Sequence, residues 1–180
     1  MRDARLILLD AAQEAVATLG LLQPDAVGTI AGLLDPEMRE HPRAIATAFR
    51  KTGVQLADVD KRALGIRTNA FLSKAALEEI APLGLGDPLV AHELTLLRAT
   101  FTIARAERVS QEAALKEQLG LAFVGFEHEC VGRDCPACNR VDGRVTRAAE
   151  AFVMPPVDCV AKCTGNYAIR AKIDWLAGIE

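Results

Sequence analysis

Residues 135–163 read CPACNRVDGRVTRAAEAFVMPPVDCVAKC. Cys135 and Cys138 form a C-x-x-C pair, and Cys159 and Cys163 form a C-x-x-x-C pair about 20 residues later. One tetrahedral zinc ion needs two such thiol pairs, because each tight turn supplies two thiolates and the spacer brings the turns together. The spacing therefore predicts a structural zinc site made of Cys135, Cys138, Cys159 and Cys163. Four thiolates leave no open coordination position for water, so a site of this kind stabilises a fold and hydrolyses nothing. It would also carry folding free energy for a segment too small to bury a core alone.

Disulfides and buried free thiols are the competing readings of the same cysteines. No signal-peptide pattern can be read after Met1-Arg2-Asp3-Ala4-Arg5, and no run approaches the roughly 18 apolar residues of a spanning helix. A cytosolic product is therefore expected, and there close cysteine pairs more often bind metal. Oxidising surroundings, such as those of an extracellular particle, would favour disulfides instead, although five cysteines leave one over. Cys130 and His128, just upstream, could substitute as ligands, but they read more simply as a spare thiol and a strand-end histidine. A thioredoxin-like role for Cys135/Cys138 needs a strand before the pair and a helix after it. Asn139-Arg140-Val141-Asp142-Gly143 predicts a turn there instead.

The residues around the cysteines predict short strands. Leu121–Phe126 has β-propensity, Gly143-Arg144-Val145 follows an Asp-Gly turn, and Tyr167–Asp174 partly alternates apolar and polar residues. Together they describe a ribbon-like module over residues 121–180. From Leu121 onward seven Lys/Arg face eight Asp/Glu. This module is no basic patch, and non-specific nucleic-acid binding is not expected.

Residues 1–120 predict a helical domain. The chain is 51% hydrophobic but only 4% aromatic, a balance that favours helices packed through small and aliphatic side chains. Leu6, Leu9, Ala12, Val16 and Leu19 predict a first helix ending at Gly20. Further starts are expected near Pro24 and at Asp35-Pro36-Glu37, where Asp35 can cap, with a break at Pro42 and a continuation to Lys51. Shorter helices are expected over 57–64 and 68–80. From Asp87-Pro88 a long helix should run to Leu119, roughly 45 Å at about 1.5 Å per residue. Val90, Leu94, Leu97, Phe101 and Ala104 form its apolar stripe. Glu93, Arg98 and Glu112 belong to mixed-charge faces that are ordinarily solvated. His41 and His92 are read as surface residues. The fold class is thus mainly α, a helical domain with a long helix followed by a small β-containing, zinc-ribbon-like module with four cysteine ligands. No Gly-rich phosphate loop, G-x-S-x-G or H-E-x-x-H is present, so no enzyme activity is expected.

The segment from about Phe123 to Ile173 resembles the C-terminal segment of the Mu-like minor head, or head-morphogenesis, proteins of tailed phages. The shared landmarks are Cys135, Cys138, Asp142-Gly143, Pro155-Pro156, Cys159 and Cys163. The family usually places a His soon after the prolines and ends in a tight Cys-Arg-Cys, whereas Asp158-Cys159 and Cys163 occupy that region here. The resemblance implies a non-enzymatic virion or assembly protein of the head or head–tail junction, made in the bacterial cytoplasm. Its partners would be other phage structural proteins, in a homo-oligomer or ring, with no membrane. The alternative is a zinc-ribbon regulatory module that binds nucleic acid or a protein partner.

Overall fold

A computed structural model describes residues 4–34, 40–130, 135–159 and 167–177. The chain forms two compact units, Met1–Thr100 and Phe101–Glu180. The division falls inside the long helix, upstream of the change in sequence texture at Gly120.

The first unit is helical. Helix α1 (Ala4–Leu19) buries Ala11, Ala12, Ala15, Val16 and Leu19, while Leu6 is exposed. Its contact stripe is therefore richer in alanine than the leucine spacing predicts, and neighbouring backbones can approach closely. Pro24 opens a 3-10 turn that leads into α2 (Val27–Leu33). The start expected at Asp35-Pro36-Glu37 lies outside the described residues. Helix α3 (Pro42–Lys51) begins where the break was expected, with exposed His41 as its N-cap. His41 Nδ1 accepts a hydrogen bond from the Arg43 amide at 3.1 Å. Helix α4 spans Asp58–Ala63.

The helix expected over 68–80 is cut to α5 (Lys74–Glu78). Residues 71–73 are drawn into an extended pairing with 54–56 instead. Leu56 N donates to Leu72 O at 3.0 Å, Lys74 N to Val54 O at 2.8 Å, and Leu72 N to Gln55 Oε1 at 3.0 Å. Ser73 then caps α5 by accepting from the Ala76 amide at 3.2 Å. Tertiary pairing and a good N-cap thus outweigh helix propensity upstream of Ser73.

Helix α6 (Ala91–Leu119) contributes residues 91–100 to this unit. Every residue from Ala91 to Ala99 is buried, so this half of the helix is enclosed on all sides and has no solvated face. Three expectations are corrected here. Glu93 and Arg98 are buried, and His92 is 0% exposed where a surface histidine was expected. Each has a partner that the linear sequence does not reveal. Arg98 donates to both Glu14 carboxylate oxygens, with Nε 3.2 Å from each and Nη2 2.7 Å from Oε1. His92 Nε2 stands 3.0 Å from Glu79 Oε2, and Thr29 Oγ1 donates to Glu79 Oε1 at 2.5 Å. Arg43 Nε lies 3.7 Å from Glu93 Oε2. Burial pushes the His92 imidazole below its ordinary pKa, against the opposing pull of Glu79.

Among the glycines of this unit, Gly84 lies closest to neighbouring backbone. A Cβ at that position would lie 2.2 Å from Leu21 O and 2.8 Å from Ile80 Cγ2. Leu21 O also accepts from Ala81 N at 3.0 Å, so it is held in place.

The second unit packs the rest of α6 with a three-stranded antiparallel sheet of order β2-β1-β3. Its strands are β1 (Phe123–Cys130), β2 (Val145–Thr146) and β3 (Tyr167–Ile173). A bulge near Gly125 shifts the β1–β3 register, and a Cβ there would sit 2.8 Å from Thr146 O. Phe123, Phe126, Ile169 and Ala148 form one core cluster with Phe101, Leu115 and Leu119. The other sheet face carries ion pairs, Lys172–Glu127 at 2.7 Å and Arg170–Glu129 at 3.2 Å. Glu112, read from sequence as a solvated residue, is buried. It accepts from the Ala148 amide at 3.0 Å, pairs with Lys116 at 2.9 Å and bonds Arg147. The mainly α class with a small C-terminal antiparallel sheet is thus as the sequence predicts. Among the described residues no helix is long and apolar enough to cross a membrane.

Gly84→Ala should lower the thermal unfolding midpoint, at a cost of about 1–3 kcal/mol for forced overpacking. Gly86→Ala, with nothing within 4 Å of its Cβ position, should leave the midpoint near wild type. Equal midpoints for the two variants in a melting experiment would contradict the close approach.

Candidate metal centre

The cysteine region is built from β1 and the turns that follow it. Cys135 is the N-cap of a one-turn helix, α7 (Pro136–Asn139), with Pro136 at its first position. Proline suits that position because its missing N–H has no intrahelical partner to lose. Asn139 N donates to Cys135 O at 3.0 Å, Val141 N to Cys138 O at 3.0 Å and Asp142 N to Cys138 O at 3.1 Å. The C-x-x-C segment is therefore a closed knuckle that points both thiols to one side. The chain returns through a 3-10 turn at Ala148–Glu150 and the cis Met154–Pro155 bond, and Cys159 N donates to Pro156 O at 3.0 Å.

These two segments bring three sulfurs together. The Sγ atoms of Cys135, Cys138 and Cys159 all lie within 4.8 Å of one another. Cys138 Sγ is 3.6 Å and Cys135 Sγ 3.9 Å from Cys159 Sγ. Sulfurs held about 2.3 Å from one ion at tetrahedral angles stand about 3.8 Å apart. Van der Waals contact alone could bring one pair this close, but here three thiols from two chain segments converge on a single point. None of the described cysteines is joined in a disulfide, and the sulfur separations far exceed the bonded length of about 2.05 Å. Cys135, Cys138 and Cys159 thus form a cluster able to bind a metal. Cys163, the fourth ligand expected from sequence, lies outside the described residues.

Cys130 and His128 are near the cluster in sequence but are not part of it. Cys130 is buried and packs in the same apolar cluster as Cys135, Ala137, Cys138, Val141 and Met154, yet it is not one of the three converging sulfurs. His128 is a core histidine, 1% exposed, with Nε2 3.0 Å from Thr146 Oγ1 and its ring edge-on to Phe152 at 5.2 Å. Burial, and then the Arg108 charge, push its pKa below the ordinary value.

Two further residues position the ligand segments, and sequence reasoning assigned neither. Asp142 Oδ1 accepts from the Cys130 amide at 2.8 Å while its own amide donates to Cys138 O. Gly143 N donates to His128 O at 2.8 Å, and His128 N to Arg144 O at 2.9 Å. The Asp-Gly turn thereby locks the knuckle to the end of β1. Arg140, on the knuckle, hydrogen-bonds Asp158, the residue before Cys159. That contact holds the Asp158 carboxyl below the usual carboxylate range. Both side chains are more than half exposed, so the pair adds little stability and acts mainly as an alignment. The Asp142-Gly143 landmark was visible in the sequence, but its acceptor role toward Cys130 needed the strand register.

The fold and cluster define a helical protein with a small C-terminal module gathered around convergent thiols. Comparisons with protein-family models, curated proteins and solved structures return no match.

Asp142→Ala should weaken divalent-metal retention about 10- to 100-fold, the usual effect of removing a group that orients a metal's ligands. Asp142→Asn, which keeps an acceptor oxygen, should stay close to wild type. Competition against a chromophoric chelator reads both variants, and unchanged retention in Asp142→Ala would separate Asp142 from the site.

Proposed function

We propose that this chain is a structural or assembly protein of a tailed-phage or prophage head or head–tail junction. In this reading its C-terminal module is stapled by one structural zinc ion. The ligands are Cys135, Cys138 and Cys159, with Cys163 as the fourth thiolate, four positions beyond Cys159 in the chain. The convergence of the three sulfurs at zinc-compatible separations supports the metal part of this reading. The order of landmarks, C-x-x-C, Asp-Gly, Pro-Pro and the closing cysteines, supports the phage part through its resemblance to the Mu-like head-morphogenesis segment.

Zinc fits this donor set because all-thiolate tetrahedral sites are typical of structural zinc. Two of the three described thiols are 0% exposed, so the ligands stand largely away from solvent. When bound, the ion supplies a cross-link between the knuckle and the segment after the double proline. The chain's own residues orient that link: Asp142 fixes the knuckle on β1, and the Arg140–Asp158 pair aligns the two ligand segments. The ion-paired sheet face, with Glu127, Glu129, Arg170 and Lys172 in alternating sign, favours a protein partner over nucleic acid, which would require an excess of positive charge.

Mass spectrometry of purified particles and of assembly intermediates from the producing host tests the assignment. The protein is expected in at least one of the two fractions at a fixed ratio to the other structural proteins. Its absence from both would overturn the phage reading and leave a zinc-ribbon regulatory module as the better account.

A further inference from the structure

The three thiols differ in access and spacing, and the difference points to a specific chemistry. Cys135 and Cys138 are fully buried, whereas Cys159 is partly exposed. An oxidant from solvent therefore meets Cys159 first. Of the two buried sulfurs, Cys138 stands nearer to Cys159, at 3.6 Å, with Cys135 at 3.9 Å. Cys138 and Cys159 also sit on different chain segments, so a bond between them closes a loop of about 20 residues. A bond between Cys135 and Cys138 would close only the knuckle itself and would leave Cys159 untethered. Disulfides across longer loops constrain the unfolded chain more.

We propose that Cys138 and Cys159 are an oxidation site at which a peroxide exchanges the metal cross-link for a covalent one. The Cys159 thiolate attacks one peroxide oxygen, an S–O bond forms, the O–O bond breaks, and hydroxide leaves to be protonated to water. The Cys138 thiolate then attacks the Cys159 sulfur. The S–S bond forms, the S–O bond breaks, and the second hydroxide is protonated to water. The two thiolates lose two electrons in all, the peroxide gains two, and the metal departs as a divalent cation. The knuckle and the segment after Pro155-Pro156 stay joined in both states, so the module keeps one fold through the change. The departure of the metal rests on the zinc reading above. The pairing rests only on sulfur access and distance.

Peptide mapping without reduction, after treatment of the full-length protein with hydrogen peroxide, tests this pairing in zinc-loaded and metal-free samples. The Cys138–Cys159 cross-linked peptide is expected to predominate in both. In the zinc-loaded sample, zinc release measured with a chromophoric indicator should rise in step with it. Cys135→Ser should still form the cross-link, and Cys138→Ser should lose it. A predominant Cys135–Cys138 or Cys159–Cys163 bond, or mainly sulfinic and sulfonic acid on Cys159, would overturn the proposal. A protein that binds no zinc but forms the Cys138–Cys159 bond would refute the metal reading and leave the oxidation site standing.

Discussion

Three sulfur atoms from two segments of chain, all within 4.8 Å of one another, are the constraint on which the C-terminal unit depends. Three thiolates brought this close repel one another, and a bound cation, a covalent bond or protonation to neutral thiols relieves that repulsion. The rest of the unit delivers those sulfurs. Strand β1 supplies the platform, Asp142 hands the knuckle to its last residue, and the double proline returns the chain with Cys159. Glu112 anchors the intervening turn to α6 through the Ala148 amide. Each of these contacts is modest alone, and their joint effect is a preformed donor set.

The N-terminal unit rests on a different device. The first part of α6 is enclosed on every side, and its polar and charged residues are accommodated by partners on other elements. Arg98 meets Glu14 on α1 in a bidentate pair, and His92 meets Glu79 beside Thr29 of α2. Removing Glu14 would leave the buried Arg98 charge uncompensated, which costs far more than the intact pair contributes. Such pairs therefore fix which helix faces meet.

Helix existence was legible because it depends on local signals. The apolar spacing before Gly20, the start near Pro24, the Asp87-Pro88 start with its stop at Gly120, and the resumption at Pro42 predicted α1, α2, α6 and α3. The stretch over 68–73 was not legible, since its extended form depends on Val54–Leu56, far away in sequence. The burial of His92, Glu93, Arg98 and Glu112 was hidden for the same reason: a charge pattern reads as solvated until the partner on another element is known. At the candidate metal centre, spacing predicted Cys135, Cys138, Cys159 and Cys163 as a set, and the first three converge. The contributions of Asp142 and Arg140 followed from strand register and the return path, which spacing does not encode.

The proposed function requires that these thiols hold a single zinc ion. X-ray absorption at the zinc edge, on protein purified without added metal, tests it most directly. The account predicts about one zinc per chain, coordinated by sulfur at about 2.3 Å with no second metal nearby. Protein that carries no zinc, or zinc bound mainly by nitrogen and oxygen, would contradict it.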